Sequence, residues 1–104
     1  MPRVALDATV SSVITSFRHR GLKQFFTKGN KNGISSFNVD RVNRILFAID
    51  AAPSPLSLMV PGFDTQGLSG DRKGTWAITL TGNDRITFKP DGVNMKDVNL
   101  EDYH

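Results

Sequence analysis

Three stretches in the last third of this 104-residue chain hold residue types that grip phosphate and move protons. They are Gly70-Asp71-Arg72-Lys73-Gly74-Thr75-Trp76, Asn83-Asp84-Arg85-Ile86-Thr87-Phe88 and the closing Glu101-Asp102-Tyr103-His104. A histidine titrates near neutrality and can serve as acid or base. An arginine on a strand can make paired hydrogen bonds to a phosphate, and an aromatic ring can stack on an unpaired base. Gly70 to His104 also gathers the only tryptophan, the only tyrosine, one of two histidines and five of the thirteen basic residues. This is an inventory suited to RNA contact and proton transfer.

The elements that must hold these residues follow from periodicity. Thr75 to Thr81 alternates, with Trp76, Ile78 and Leu80 on one side and Thr75, Ala77, Thr79 and Thr81 on the other, the period of an antiparallel strand. Gly82-Asn83-Asp84 supplies a hairpin turn. The returning strand puts Ile86 and Phe88 inward and Arg85, Thr87 and Lys89 outward, before Pro90-Asp91-Gly92 turns the chain into Val93 to Leu100. Gln66 to Ser69 can pair ahead of the Gly70 turn. A terminal strand then carries Asp102, Tyr103 and His104 to the end of a partly basic surface; since strand neighbours alternate faces, the tail must leave regular geometry for Tyr103 and His104 to point together.

Upstream lies scaffold. Val13 to Phe17 reads as a first strand, followed by the basic Arg18-His19-Arg20 and Gly21. Leu22, Phe25 and Phe26 make the apolar stripe of a short helix with Lys23 and Lys28 outside, stopped at Gly29-Asn30. Lys31 to Phe37 is a loop. Asn38 caps a second helix whose Val39, Val42, Ile45, Leu46 and Ile49 share one face, with Arg41 and Arg44 opposite. Pro53 and Pro55 end it by Ala52, and Leu56 to Val60 suits one more turn. The expectation is an α+β fold: two N-terminal helices packed on a three- to five-stranded, mainly antiparallel sheet.

Length allows one small domain, with Met1 to Ser12 as a loose, flexible extension and residues 13–104 as the folded unit. With no cysteine and two histidines far apart, disulfides and thiolate sites are excluded and metal binding is disfavoured. No apolar run is long enough to span a membrane, and the N-terminus lacks a signal-peptide core, so a cytoplasmic location is expected. The net charge of +3 is uneven, +6 over Met1 to Ile49 and −3 over Asp50 to His104, which fits a polyanionic partner as well as a merely solvated basic face.

Phe17-Arg18-His19-Arg20-Gly21-Leu22, Ala48-Ile49-Asp50-Ala51-Ala52, Gly70 to Trp76, Arg85-Ile86-Thr87-Phe88 and Glu101-Asp102-Tyr103-His104, in this order and spacing, resemble the HigB toxins of the RelE superfamily. The resemblance runs from Val13 to His104. It implies a bacterial, cytoplasmic toxin of a type II toxin-antitoxin system, of the plasmid maintenance killer type. Such a toxin cleaves messenger RNA on the ribosome without metal or cofactor, and a HigA-like helix-turn-helix antitoxin holds it inactive.

Carried over by position, the resemblance makes His104 the general acid or base, Tyr103 a group that stacks on a base or positions the nucleophile, Asp102 the acid that orients the tail, and Arg85 the phosphate contact. Arg72 and Lys73 match a basic turn that holds RNA backbone or has a structural role, while Lys89, Arg18 and Arg20 are further candidates for RNA binding. One departure stands out: Gln66 and Ser69 occupy the positions of an expected histidine and lysine, and neither supplies an unaided base or a cation at neutral pH. The alternative is a weakened homologue that binds antitoxin or ribosome without efficient cleavage. A small RNA-binding module without chemistry would not need the Asp-Tyr-His end. For His19 a solvated or capping role is favoured over RNA contact, and for Trp76 a place in the core.

Overall fold

A computed structural model describes residues 13–102. Its elements are helix α1 (Arg20–Lys28), helix α2 (Val39–Ala51) and strands β1 (Gln66–Gly67), β2 (Trp76–Thr79), β3 (Asp84–Asp91) and β4 (Asn94–Asp102), with 3-10 turns at Asn32–Ile34, Pro55–Leu58 and Gly70–Arg72. The strands form one antiparallel sheet in the order β1-β2-β3-β4. Two helices on a four-stranded antiparallel sheet is the expected architecture.

Each helix begins on the cap its sequence offers. The Asn38 side chain accepts from the Arg41 N–H at 3.1 Å, and α2 buries Val42, Ile45, Leu46 and Ile49, while Val39 is half-buried. At α1 the cap is His19, whose Nδ1 accepts from the Leu22 N–H at 3.1 Å, and Gly29 closes the helix in the left-handed region at φ 72°. Burial lowers the His19 pKa below its ordinary 6.5, and the neutral ring is the form that can accept this bond. Its stabilising contribution is therefore complete above pH 6.5 and is lost as pH falls through the lowered folded value. We expect His19→Ala to cost about 1 kcal/mol at neutral pH, and His19→Asn to restore most of that and abolish the pH dependence between 7 and 5, read by denaturant unfolding.

The inner sheet face and the helices share one core: Ile78, Ile86, Phe88, Met95 and Val98 pack with Leu22, Ile34, Ile45, Leu46 and Ile49. Trp76 lies against that core and is half-buried, as its strand phase requires. Val13 to Phe17 differs from the expected strand. It makes two isolated parallel bridges to β4, Ile14 with Met95 and Phe17 with Val98. The ladder is interrupted where Asp97 adopts φ 54° and its N–H donates to the Ser16 hydroxyl at 2.9 Å instead of to a backbone carbonyl. Asp50 at the end of α2 fixes this segment, accepting the N–H groups of Val13 and Ile14 at 2.9 and 3.0 Å.

Arg41 departs from the reading of α2 in which it and Arg44 share the polar face opposite the apolar stripe. Its guanidinium turns toward the sheet, donating to the carbonyls of Gly62 at 2.7 Å, Thr79 at 2.6 Å and Leu80 at 3.2 Å. It thereby ties α2 to the end of β2 and the loop before β1. Arg44 remains exposed.

Candidate functional site

The outer sheet face is where the chemistry-bearing residues collect. Small side chains make its floor: Thr75, Ala77 and Thr87 are each at most 3% exposed, so this face is lined closely by its surroundings rather than simply washed by solvent. Register fixes two rows across it. One runs Gln66, Ala77, Thr87, Asn99, and the next runs Thr79, Arg85, Glu101. Longer residues stand around this floor and make it concave.

Glu101, at the β4 end of the second row, gathers most of its polar contacts. Its carboxylate accepts two hydrogen bonds from Arg72, at 3.1 and 2.8 Å, one from the Thr87 hydroxyl at 2.7 Å and one from the Asn99 amide at 3.4 Å, and it lies 3.8 Å from Arg85 Nη2. The hydrogen bonds from Arg72, helped by those from Thr87 and Asn99, hold its pKa below the ordinary 4.5 against the opposing effect of burial. Sequence reasoning about the tail passed over this residue, although it is the only glutamate in the chain and composition alone sets it apart. Its side chain is 20% exposed and Arg72's 44%, so the pair is partly screened. Its contribution to stability is present above pH 4.5 and disappears as pH falls through the lowered folded value. Glu101→Gln is expected to flatten this acid limb, so the stability gap between wild type and variant closes on acidification; a gap constant from pH 7 to 3 would show that the charge is not what binds the cluster.

Two clefts flank the cluster. Arg18, Arg72, Lys89, Asp97 and Glu101 rim one of about 270 Å3 over Thr75 and Thr87. Asp64, Gln66, Thr79, Asp84 and Arg85 rim the other, of about 230 Å3, over Ala77. The fold thus brings together Arg18, Arg72, Lys89 and Arg85 of the residues singled out in the sequence. Arg20 is turned elsewhere, into a groove between α1 and the Asn32–Ile34 turn with Gln24 and Lys28. Lys73, exposed just after the 3-10 turn, lines neither cleft.

Asp102 ends β4 directly opposite Asp84, and so has the strand phase of Leu100 rather than that of Glu101 and Arg85. Regular strand geometry would direct it away from the arginine face, which suits a residue that orients the tail better than one that reaches the phosphate. Tyr103 and His104 lie outside the described residues. Gln66 stands at the cleft beside Arg85, while Ser69 precedes the Gly70–Arg72 turn and lines neither cleft. The three arginines and the lysine share the two clefts with four carboxylates, so positive charge is concentrated at the Arg18, Arg72 and Lys89 cleft, where a phosphate can be held, and at Arg85 beside it.

A family model described as the RelE-like toxin of type II toxin-antitoxin system HigB matches residues 15–104. The chain belongs to the HigB-like toxin family. It is 42% identical over 92 residues to a protein of Proteus vulgaris named Endoribonuclease HigB, with 88% of this chain and 100% of that protein covered. In three dimensions it is similar to the Staphylococcus aureus YoeB dimer structure, at TM-score 0.55 and 17% identity over 88% of this chain and 94% of that one, a likeness of fold. The HigB-like match includes both clefts and Glu101.

Proposed function

We propose that this HigB-like toxin is an endoribonuclease that cuts messenger RNA on the ribosome and so blocks translation, working without metal in the cytoplasm and held inactive by a HigA-like helix-turn-helix antitoxin. The observation that carries this reading is the concave sheet face itself. Arg85 lines one cleft and lies 3.8 Å from Glu101, which lines the other, so a single RNA strand can run across both, and the sequence continues from Glu101 through Asp102 into Tyr103-His104. The relative named an endoribonuclease supports the same reading. No helix among the described residues is long and apolar enough to cross a membrane.

Cleavage of this type is a transesterification. The ribose 2′-hydroxyl gives up its proton to a base, its oxygen attacks the adjacent phosphorus, and the 5′-oxygen leaves with a proton from an acid. Arg85 meets the negative charge that grows on the phosphorane oxygens, with Arg18, Arg72, Lys73 and Lys89 along the RNA backbone. His104 supplies acid or base, Tyr103 stacks on a base or positions the nucleophile, and Asp102 orients the two. Gln66 supplies hydrogen bonds and no proton transfer.

A second reading rests on Gln66 and Ser69, which stand where a histidine and lysine are expected: a weakened homologue that binds ribosome or antitoxin without efficient cutting. Incubating the protein with an mRNA, with and without purified ribosomes, separates the two. Scission that requires ribosomes and is suppressed by co-purified antitoxin is the expected result. Ribosome binding without scission supports the second reading, and scission of free RNA at the same rate removes the ribosome from the mechanism.

A further inference from the structure

We propose that Glu101 is a positioning residue: its carboxylate holds the Arg72 guanidinium on the sheet face by one edge of its fork, so that the other edge meets an RNA phosphate in the cleft shared with Arg18 and Lys89. The proposal deepens the endoribonuclease reading and rests on it, since it is the RNA to be cut that brings the phosphate.

Arg72 needs such a holder. It closes the Gly70–Arg72 3-10 turn, none of whose residues is buried. The turn begins at Gly70, φ 65°, and is followed by Gly74, φ 99°, both in the left-handed region. No residue of the turn reaches the core, and a long side chain at such a place samples many rotamers unless a partner selects one. Glu101 is that partner. Arg72 Nη1 donates to Oε1 at 3.1 Å and Nη2 to Oε2 at 2.8 Å. This end-on pair uses the Nη1–Nη2 edge of the planar fork and leaves the edge that carries Nε–H turned away from the carboxylate. Arg72, Arg18 and Lys89 line the same cleft with Glu101, so a phosphate there meets a guanidinium whose plane is already set.

The carboxylate can do this because it is itself fixed. Glu101 faces Arg85 in the β3–β4 register, and its Oε2 also accepts from the Thr87 hydroxyl at 2.7 Å and the Asn99 amide at 3.4 Å. Thr87 is 1% exposed and lies on an interior strand of the sheet, which makes it a rigid anchor. Oε1 lies 3.8 Å from Arg85 Nη2. One carboxylate thus serves two guanidinium groups and offsets the repulsion that would drive the loop arginine away from the strand arginine. A carboxylate on a face that takes a polyanion opposes binding unless the donors around it neutralise it. Here two bonds from Arg72, one from Thr87 and one from Asn99 do so. Charge and geometry therefore act in opposite senses on RNA: Glu101 lowers the long-range attraction and improves the orientation.

The test uses the full-length protein and exploits that opposition. Glu101→Gln keeps the size of the side chain and an acceptor for Thr87, while it removes the charge and one of the two acceptors for Arg72. We expect its ribosome-dependent scission rate at saturation to fall about ten-fold. Its affinity for a short 2′-O-methyl RNA, which lacks the reacting hydroxyl, should stay equal or rise. In an Arg72→Ala background the same substitution should change the rate by less than about two-fold, because its effect travels through Arg72. The Arg72 Nε–H resonance should shift when the 2′-O-methyl RNA is added to the wild type and stay in place in Glu101→Gln. A fall in rate and affinity together, persisting in the Arg72→Ala background, would make Glu101 a merely structural residue and overturn the proposal. A rise in both would make it a counter-ion that RNA displaces, and would overturn it equally. A wild type that shows the Arg72 shift without scission on ribosomes sinks the nuclease reading and leaves the positioning role; scission by Glu101→Gln at the wild-type rate sinks the role and leaves the nuclease.

Discussion

Arg85→Ala is expected to lower ribosome-dependent mRNA scission by roughly 10²–10³-fold, the range for removing one preorganised group that meets transition-state charge. Arg85 is suited to that role by where it is fixed. It sits mid-sheet on β3, paired in register with Thr79 on one side and Glu101 on the other, with its side chain 17% exposed. The Glu101 carboxylate keeps its two bonds from Arg72 in the variant, so the neighbouring cleft persists and the loss should fall on the rate at saturating ribosomes rather than on binding. Arg85→Lys should recover only part of the rate, because an ammonium restores charge without the planar fork. His104→Ala is expected to cost a similar or larger factor, roughly 10²–10⁴-fold, by removing the proton carrier. Full scission by either variant at wild-type rate would take that residue out of the mechanism.

The division between what the sequence disclosed and what it withheld has a physical basis. Periodicity reports which face of an element is buried, and it placed Ile86 and Phe88 inward and Arg85, Thr87 and Lys89 outward on β3 correctly. Capping chemistry is local, and so Asn38 was legible as a cap, while His19, open in sequence between a solvated and a capping residue, proves to be the cap of α1. Arg41 was not. Its three carbonyl partners lie 21 to 39 positions away, and a long flexible side chain can leave a helix's polar face for a neighbouring element without altering the helical pattern. Thr87 and Ala77 show the converse: they take the outward phase and are nonetheless buried, in the register row of Gln66 and Asn99, with the Thr87 hydroxyl donating to Glu101 at 2.7 Å. Strand period predicts the face and not how deeply that face is covered.

The same contrast separates Arg18 from Arg20. Two residues apart in sequence, they enter different grooves because the chain changes from a segment bridged to β4 into the first turn of α1 between them. A basic triplet in sequence is thus not a basic patch in space. For Gln66, whose neighbourhood matters more than its own chemistry, the sequence showed a missing base, while the fold shows an amide at the mouth of a cleft beside Arg85.

The largest stability effect away from the large core side chains is expected at a surface glycine. Gly33 is exposed, yet a Cβ added to it would lie 2.6 Å from the Gly21 Cα, and one added to Gly21 would lie 2.7 Å from the Gly33 carbonyl oxygen. The two backbones touch where the first turn of α1 meets the Asn32–Ile34 turn, so neither contact can be relieved by rotating a side chain. Beside them Leu22 and Ile34 are both fully buried in the shared core, and any separation of the backbones withdraws one or both. Gly33→Ala is therefore expected to cost about 1–3 kcal/mol, lowering the melting temperature by roughly 4–8 °C per kcal/mol in a domain of this size. Gly21→Ala should cost at least as much, because its methyl would also meet the His19 ring at 2.9 Å and disturb the cap. Since one methyl already forces the elements apart, the double variant should lose less than the sum of the two. Gly82→Ala is the control: its added Cβ meets nothing within 4 Å and its backbone needs no left-handed conformation, so a change within about 0.5 kcal/mol is expected. If Gly33→Ala melted with the Gly82→Ala control, the close approach of α1 and its following turn would not be a constraint on this fold.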